Sequence, residues 1–276
     1  MQENNGKERE DNTMTVDYKN WMPKGMINGF ALVGVFWLVI AVIINYFKLI
    51  NTQPIRNVVS IVFITLCVLS LIMSVWMLLM HRAFSYKGKR QMSKQIIEGI
   101  AEYVNVPHEG KGLDVGCGSG ALTIACAKRN PDVTFMGVDR WGKEYASFSR
   151  NLCENNAHAE GVSNVSFRQG DATKLPFEDN TFDVVTSNYV YHNIPSSDRQ
   201  AILLETLRTL KKGGTFAIHD IMSKGKYGDM KAFEKTLKDM GYEDVRLIDT
   251  TNGMFMSKWE ATWMGLSGST LLVGKK

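Results

Sequence analysis

The chain has 276 residues, of which 45% are hydrophobic, 22% are charged and 6 are proline, a balance that excludes collagen-like, fibrous and wholly disordered classes and leaves room for one or two domains. Its 32 basic and 28 acidic residues give a formal charge of +4, too small an excess to point to a nucleic-acid partner. Cys67, Cys117, Cys126 and Cys153 form no Cys-x-x-Cys pair and no metal-ligand spacing, so neither a disulfide scaffold nor a metal site is expected.

Residues 1–24 read as a polar tail, the first twenty of them disordered. Two uncharged apolar runs follow, Gly25–Phe47 of 23 residues and Asn57–Met80 of 24. At ~1.5 Å rise per residue each reaches roughly 35 Å, enough to cross a hydrocarbon core of about 30 Å. They predict a transmembrane hairpin with helices over about 26–47 and 58–80. A cleaved signal peptide fits poorly, because the runs are too long, lack a small-residue cleavage pattern and come as a pair. Two buried core helices are the other reading, but such helices are usually shorter and striped. The connection Lys48–Asn57 carries two basic residues, Lys48 and Arg56, whereas Arg82, Lys87, Lys89, Arg90 and Lys94 follow the second run. Positive charge stays on the cytoplasmic side, so the expectation is a two-span membrane protein with both termini and everything beyond the hairpin cytoplasmic. The lipid bilayer is therefore an expected partner.

Residues 81–107 read as a basic linker and a helix, in which Met92, Ile96, Ile97, Ile100, Ala101 and Val104 make one apolar stripe. From residue 108 strands alternate with helices. Strands are expected at 112–115, 133–138, 165–169, 182–188, 215–220, 245–249 and 269–273, and helices at 121–130, 143–157, a segment capped by Ser196 or Ser197 and running through Leu210, and 230–240. Such alternation implies a parallel sheet with helices on both faces.

The informative stretch is Asp114-Val115-Gly116-Cys117-Gly118-Ser119-Gly120, between the first of these strands and a helix. Its glycines permit a sharp turn and leave room for a ligand against the main chain, at the carboxyl end of a strand where open α/β sheets bind ligands. The spacing is Gly-x-Gly-x-Gly, unlike the Gly-x-Gly-x-x-Gly of dinucleotide-binding proteins, and no Lys-Ser/Thr follows as a phosphate loop requires. A nicotinamide-dependent oxidoreductase is disfavoured on that ground. Asp139, nineteen residues past Gly120 at the end of the second strand, is placed to accept both hydroxyls of a ribose. Asp171 closes the third strand, where an acceptor can meet an adenine amino group.

These marks, with GVDR, GDATKLPFEDNTFDVV and LRTLKKGGTFAIHD in the same order, resemble the class I S-adenosylmethionine-dependent methyltransferases, in particular the small-molecule branch similar to quinone C-methylases. The resemblance covers Gly112–Asp220, 109 of 276 residues. It implies a Rossmann-like α/β fold with a seven-stranded sheet over 108–276, and S-adenosyl-L-methionine as cofactor. Gly116, Cys117, Gly118 and Gly120 would run beside the methionine part and Asp114 near its amino group. Asp139 would take the ribose, Arg140 and Trp141 would flank the adenine, Asp171 and Ala172 would meet its edge, and Ser187 and Asn188 would lie near the sulfonium. Cys117 is expected to be a small packing residue of the loop, not a nucleophile.

His192, in the Asn188–Asn193 stretch after the fourth strand, is the candidate general base; its plain alternative is a hydrogen-bonded loop histidine. His219 is a second candidate. Tyr189 and Tyr191 alternate, so one is expected in the pocket and the other in packing. No extra cysteine set of the arsenite-methylating kind is present, and Ser187-Asn188-Tyr189-Val190 replaces the Asn-Pro-Pro-Tyr-like tetrapeptide of nucleic-acid amino methyltransferases, which argues against bases as substrate. Two functions are carried forward: a membrane-anchored methyltransferase acting on a hydrophobic or lipid-like small molecule, and a catalytically silent cofactor-binding regulator at the membrane.

Overall fold

The computed structural model describes residues 15–106, 109–142 and 147–276. The chain divides into two compact units, residues 19–96 and residues 97–276, the latter joined by the segment ahead of Lys19.

The first unit is built on α1 (Lys24–Tyr46) and α2 (Gln53–Phe84), both long and apolar enough to cross a membrane. Pro54 stands in the first turn of α2, where its missing N–H removes no helical bond. The two helices are antiparallel neighbours joined by a short turn. Gly34 of α1 lets Leu71 and the Cys67 carbonyl come to within 3.2 and 3.4 Å of where a Cβ would sit. Trp37 stacks on Phe63 at 5.6 Å. Asn45 donates to the Ser60 hydroxyl at 2.6 Å and Ser74 to the Ile27 carbonyl at 2.9 Å. Asn45 and Ser74 thus find partners within the hairpin. Leucine, isoleucine, valine and phenylalanine side chains point outward along both helices.

The second unit holds a seven-stranded sheet in the order β3-β2-β1-β4-β5-β7-β6. Its strands are β1 (Gly110–Val115), β2 (Val133–Asp139), β3 (Val165–Gln169), β4 (Phe182–Asn188), β5 (Leu210–Ile221), β6 (Glu243–Asp249) and β7 (Ser269–Lys275). β3, β2, β1, β4 and β5 pair in parallel, while β7 pairs antiparallel with both β5 and β6. The sheet is therefore mixed, not wholly parallel as the alternation of elements suggests. The connection from β6 to β7 contains α9 (Lys258–Trp263), yet the chain returns through it antiparallel to β6, inserting β7 between β5 and β6.

The connecting helices are α3 (Met92–Ala101), α4 (Ala121–Arg129), α5 (Arg150–Ala159), α6 (Arg199–Arg208), the short α7 (Lys224–Tyr227) and α8 (Met230–Asp239). Ser149 caps α5 by accepting from Leu152 N–H, and residues 143–146 of the helix expected there lie outside the described residues. α6 is capped by Asp198, not by Ser196 or Ser197, and it ends at Arg208, because Leu210 already begins β5. Leu113, Val115, Val185, Leu203, Leu207, Leu210, Ile218 and Leu272 form the centre of the core. Burying each such side chain is worth ~1.5–3 kcal/mol against leaving it in water.

The polar tail needs one correction. Residues 1–14 lie outside the described residues, but Asp17 and Tyr18 are seated on the second unit. Asp17 N–H donates to Asn156 Oδ1 at 2.8 Å, Asn156 Nδ2 donates to the Asp17 carbonyl at 3.0 Å, and the Tyr18 ring packs with Cys117, Ile124, Cys153, Ala157 and Phe167.

Candidate active site

The parallel strands all deliver their carboxyl ends to one edge of the sheet, and the chemistry-bearing residues collect there. β1 ends at Val115 and the chain turns through the glycine loop into α4. Gly116, Gly118 and Gly120 have φ of +74°, +55° and +82°, the left-handed region that favours glycine. At Gly116 the requirement is also steric, since a Cβ there would sit 2.2 Å from Val190. At Gly118 nothing among the described residues lies nearer than 4.0 Å to such a Cβ, which leaves room against the backbone for a ligand. Gly116 and Cys117 N–H both donate to the Val138 carbonyl, at 2.7 and 3.1 Å, which ties the loop to β2.

Asp114 is fully buried and its oxygens accept from Thr123 at 2.6 Å and Thr186 at 3.0 Å. Burial raises its pKa to about 6, against the lowering effect of those two hydroxyls. The carboxylate thus braces β1 against α4 and β4 beneath the loop. Asp139 closes β2 with Oδ2 accepting from Gly118 N–H and Oδ1 from Trp141 N–H, both at 2.8 Å. Trp141 Nε1 donates to the Gly118 carbonyl at 3.0 Å. The glycine loop and the strand-end acid are therefore one assembly. Arg140 is exposed, and its carbonyl accepts from Gln169.

Asp171 caps its own turn, accepting from Thr173 N–H and Oγ1 at 2.8 and 2.7 Å, and these bonds hold its carboxyl below the usual range. Ala172 packs half-buried against the core. Ser187 is buried and donates to the Val115 carbonyl at 2.8 Å. Asn188 Oδ1 pairs with His219 Nδ1 at 2.8 Å. Cys117 is buried among Cys153 and Ile124, and burial pushes its thiol well above the ordinary range, so it is a packing group.

Past β4, Tyr189 (φ +53°) turns the chain into a single 3-10 turn, Tyr191–Asn193. Tyr191 is the packing member of the tyrosine pair, fully buried with its hydroxyl against Thr206 at 2.9 Å. Tyr189 is half-buried, its hydroxyl meeting Ser269 at 2.7 Å and its ring 4.6 Å from that of His219.

His192 Nδ1 is paired with Asp220 Oδ1, and its backbone N–H donates to Asp220 Oδ2 at 3.1 Å. Asp220, at the end of β5, is fully buried and also accepts from Tyr227 Oη at 2.8 Å and Ile221 N–H at 2.6 Å. Burial alone would raise its pKa, but the bonds from His192, Tyr227 and Ile221 outweigh it and keep the carboxyl below the ordinary range. Arg199 fixes the same turn from behind, donating to the carbonyls of Tyr191, Ile194 and Lys226. The imidazole is thereby held with Nδ1 toward the carboxylate and Nε2 free of hydrogen bonds among the described residues, the arrangement of an oriented base. His219 is different in kind. Both its nitrogens are engaged, by Asn188 and by Thr250 at 2.9 Å, and burial lowers its pKa to about 3. It is a neutral structural group.

Sequence reasoning missed Asp220, Tyr227 and the threonine pair around Asp114. Asp220 had a signal, since it ends a strand on the same edge as Asp139 and Asp171. Thr186 carried none, because its partner lies 72 residues away, and Thr123 and Tyr227 carried none, because only the turn from strand to helix brings each back to a carboxylate nine or seven residues earlier.

A parallel-centred sheet with an antiparallel β7 hairpin, a glycine loop after β1 and an acid at the end of β2 define the α/β fold of methyltransferases. The chain belongs to the family described as methyltransferase domain, which matches residues 108–263. Its cofactor is S-adenosyl-L-methionine, and the open backbone at Gly118 beside the Asp139 carboxylate fits that group. Among curated proteins it is similar to the demethylmenaquinone methyltransferase of Lactobacillus johnsonii, 31% identical over 155 residues, covering 52% of this chain and 61% of that one. It is 33% identical over 139 residues to that of Geobacillus stearothermophilus, covering 49% and 53%. The chain thus spans about half the length of these relatives. Solved structures of similar fold include geranyl diphosphate methyltransferase (TM-score 0.53, 14% identity, 68% of this chain and 79% of that one) and the cyclase SpnF (0.51, 19%, 68% and 82%).

Proposed function

We propose that this chain is a membrane-anchored methyltransferase that transfers the methyl group of S-adenosyl-L-methionine to a small hydrophobic, quinone-like acceptor, with His192 as general base. The observation that carries the reading is the contact between the glycine loop and the turn that bears His192. Val190 fills the space a side chain at Gly116 would need, so the base is built against the cofactor loop. The names of the curated relatives support a quinone-like acceptor, and the apolar hairpin supports an acceptor that resides in lipid.

The cofactor supplies an electrophilic methyl group on a sulfonium. Asp139 would hold the ribose hydroxyls, Asp171 and Ala172 the adenine edge, and the loop from Gly116 to Gly120 would leave space for the methionine part. The protein's own catalytic task is proton removal and alignment. A ring carbon or hydroxyl of the acceptor that gains a methyl must lose a proton. His192 Nε2 takes that proton, while Asp220 keeps the imidazole in the Nδ1–H tautomer and stabilises the imidazolium that forms. Tyr227 and Ile221 N–H in turn hold Asp220.

The test is incubation of the full chain in lipid vesicles with labelled S-adenosyl-L-methionine and demethylmenaquinone, followed by mass analysis of the lipid extract. Label in the quinone fraction is expected. His192→Ala should lower turnover by roughly 10²–10⁴, the usual contribution of a general base, and Asp139→Ala should abolish cofactor binding. Transfer confined to water-soluble acceptors would overturn the quinone reading. Tight cofactor binding with no transfer to any acceptor would favour the silent regulator instead.

A further inference from the structure

The main-chain atoms of the glycine loop that face away from β1 are bonded by two elements. Trp141 Nε1 and Cys153 Sγ reach the Gly118 carbonyl at 3.0 and 3.2 Å, and Asn156 Nδ2 reaches the Ser119 carbonyl at 3.0 Å. The remaining polar group, the Ser119 hydroxyl, donates to the Tyr18 carbonyl at 2.8 Å. Asn156 is 1% exposed, and its carboxamide pairs with both the N–H and the carbonyl of Asp17 in the manner of a neighbouring strand. One buried side chain, 139 residues from Asp17 in sequence, therefore links the loop to that segment. The Tyr18 ring completes the cluster of Cys117, Ile124, Cys153 and Phe167 beneath the loop, with Trp141 packed against it, and the Tyr18 hydroxyl donates to Glu160 at 3.1 Å.

We propose that Asp17 and Tyr18, in the segment ahead of the first apolar helix, are positioning residues of the cofactor site. They brace the glycine loop through Asn156 and Ser119, so that docking of this segment and binding of S-adenosyl-L-methionine strengthen one another. The proposal rests on the reading of the loop as the cofactor site. A loop of three glycines is intrinsically soft, and ordering it on binding has an entropic cost. A brace that orders it beforehand removes part of that cost from binding, which raises affinity. Thermodynamic linkage makes the effect reciprocal: cofactor binding must tighten the docked segment by the same factor.

The test uses the full-length protein in detergent micelles or nanodiscs. Calorimetry with S-adenosylhomocysteine first establishes binding to the unmodified chain; no binding at all would overturn the cofactor reading itself, and this proposal with it. With binding established, hydrogen exchange of residues 15–18 is compared with and without saturating S-adenosylhomocysteine, and slower exchange at Asp17 and Tyr18 is expected when it is bound. Tyr18→Ala should raise the dissociation constant about tenfold, by removing the ring that packs beneath the loop. Tyr18→Phe, which keeps that ring and loses only the hydroxyl bond to Glu160, should restore most of it. In turnover assays Tyr18→Ala should raise the KM for the cofactor and leave that for the acceptor unchanged. Exchange that is indifferent to the ligand, or a Tyr18→Ala dissociation constant within twofold of the parent, would show a merely structural strap. The exchange comparison needs no variant and decides the matter even where Tyr18→Ala fails to fold.

Discussion

Asp114, Asp220 and His219, all buried within the candidate site, show how burial acts through a group's partners. Asp114 is raised to about 6, Asp220 is held low by three donors, and His219 is lowered to about 3. The differences follow from what each can bond. Asp114 receives two neutral hydroxyls, too little to offset complete burial, whereas Asp220 receives an imidazole, a phenol and an amide. His219 loses its charge to burial, and the attraction of Asp220 does not restore it. This yields a stability prediction with a definite sign. The folded-state pKa of His219 lies below its unfolded value of 6.5, so as pH falls the unfolded chain takes up the proton first. The contribution is intact above pH 6.5 and drains away as pH falls toward 3. Denaturant unfolding of the solubilised protein should therefore show His219→Gln losing less stability than the parent between pH 7.5 and 5.5, by about 1.4 kcal/mol. Parallel pH profiles for the two proteins would contradict this placement of His219. Asp114 works in the opposite sense between pH 3.8 and 6, where its protonated form favours the fold, so the comparison with the variant is the informative quantity.

At the scale of elements, all seven strands were legible because each is a short apolar run bounded by turn residues, and the two apolar helices because nothing charged interrupts them. Direction was not legible for β7: STLLV reads the same in a parallel or antiparallel pair, and the connection from β6, which contains α9, is long enough for either. Asp139 and His192 stood out as candidates by their positions at or just past strand ends, whereas contacts that need two residues, such as Asp220 with Tyr227 or Asn156 with Asp17, left no mark in the sequence. Gly99 shows how packing overrides local preference. It lies inside α3, where glycine costs roughly 1 kcal/mol against alanine. Yet a Cβ there would sit 2.3 Å from Cε1 of Phe255, whose ring also meets that of His219 edge-on at 5.4 Å. Overpacking a filled core costs ~1–3 kcal/mol, and Phe255 is buried with His219 behind it, so it has little room to retreat. Gly99→Ala should accordingly lower the melting temperature of the solubilised protein despite its better helix propensity. A rise would mean that Phe255 moves freely, and with it the wall beside His219.

At the scale of the whole molecule the docking of Asp17 and Tyr18 bears on membrane sidedness. From Tyr18 to the start of α1 at Lys24 is six residues, a reach of at most about 20 Å. That is less than the ~30 Å of hydrocarbon the chain would have to cross. In a hairpin that spans the membrane, a segment seated on the methyltransferase domain would oblige the start of α1 to lie on the same side as that domain. The end of α2, followed by the domain itself, would lie there too, with the connection between Tyr46 and Gln53 opposite. α2 is 32 residues long, about 48 Å at 1.5 Å per residue, and its ends carry Arg56 on one side and His81 and Arg82 on the other. The charge asymmetry agrees with the chain-length argument, since the five basic residues from Arg82 to Lys94 lie on the domain side, where cytoplasmic retention of positive charge would hold them. The four native thiols are buried, so an introduced cysteine can be read against little background. Thr52→Cys should react with a membrane-impermeant maleimide on intact cells, and Lys89→Cys only after permeabilisation; both positions are exposed. The reverse pattern would place the domain outside, where cytosolic S-adenosyl-L-methionine could not reach Asp139. Labelling of neither until permeabilisation would mean that the hairpin lies on the inner face of the bilayer and does not cross it, and the acceptor would then have to be drawn from that leaflet's surface.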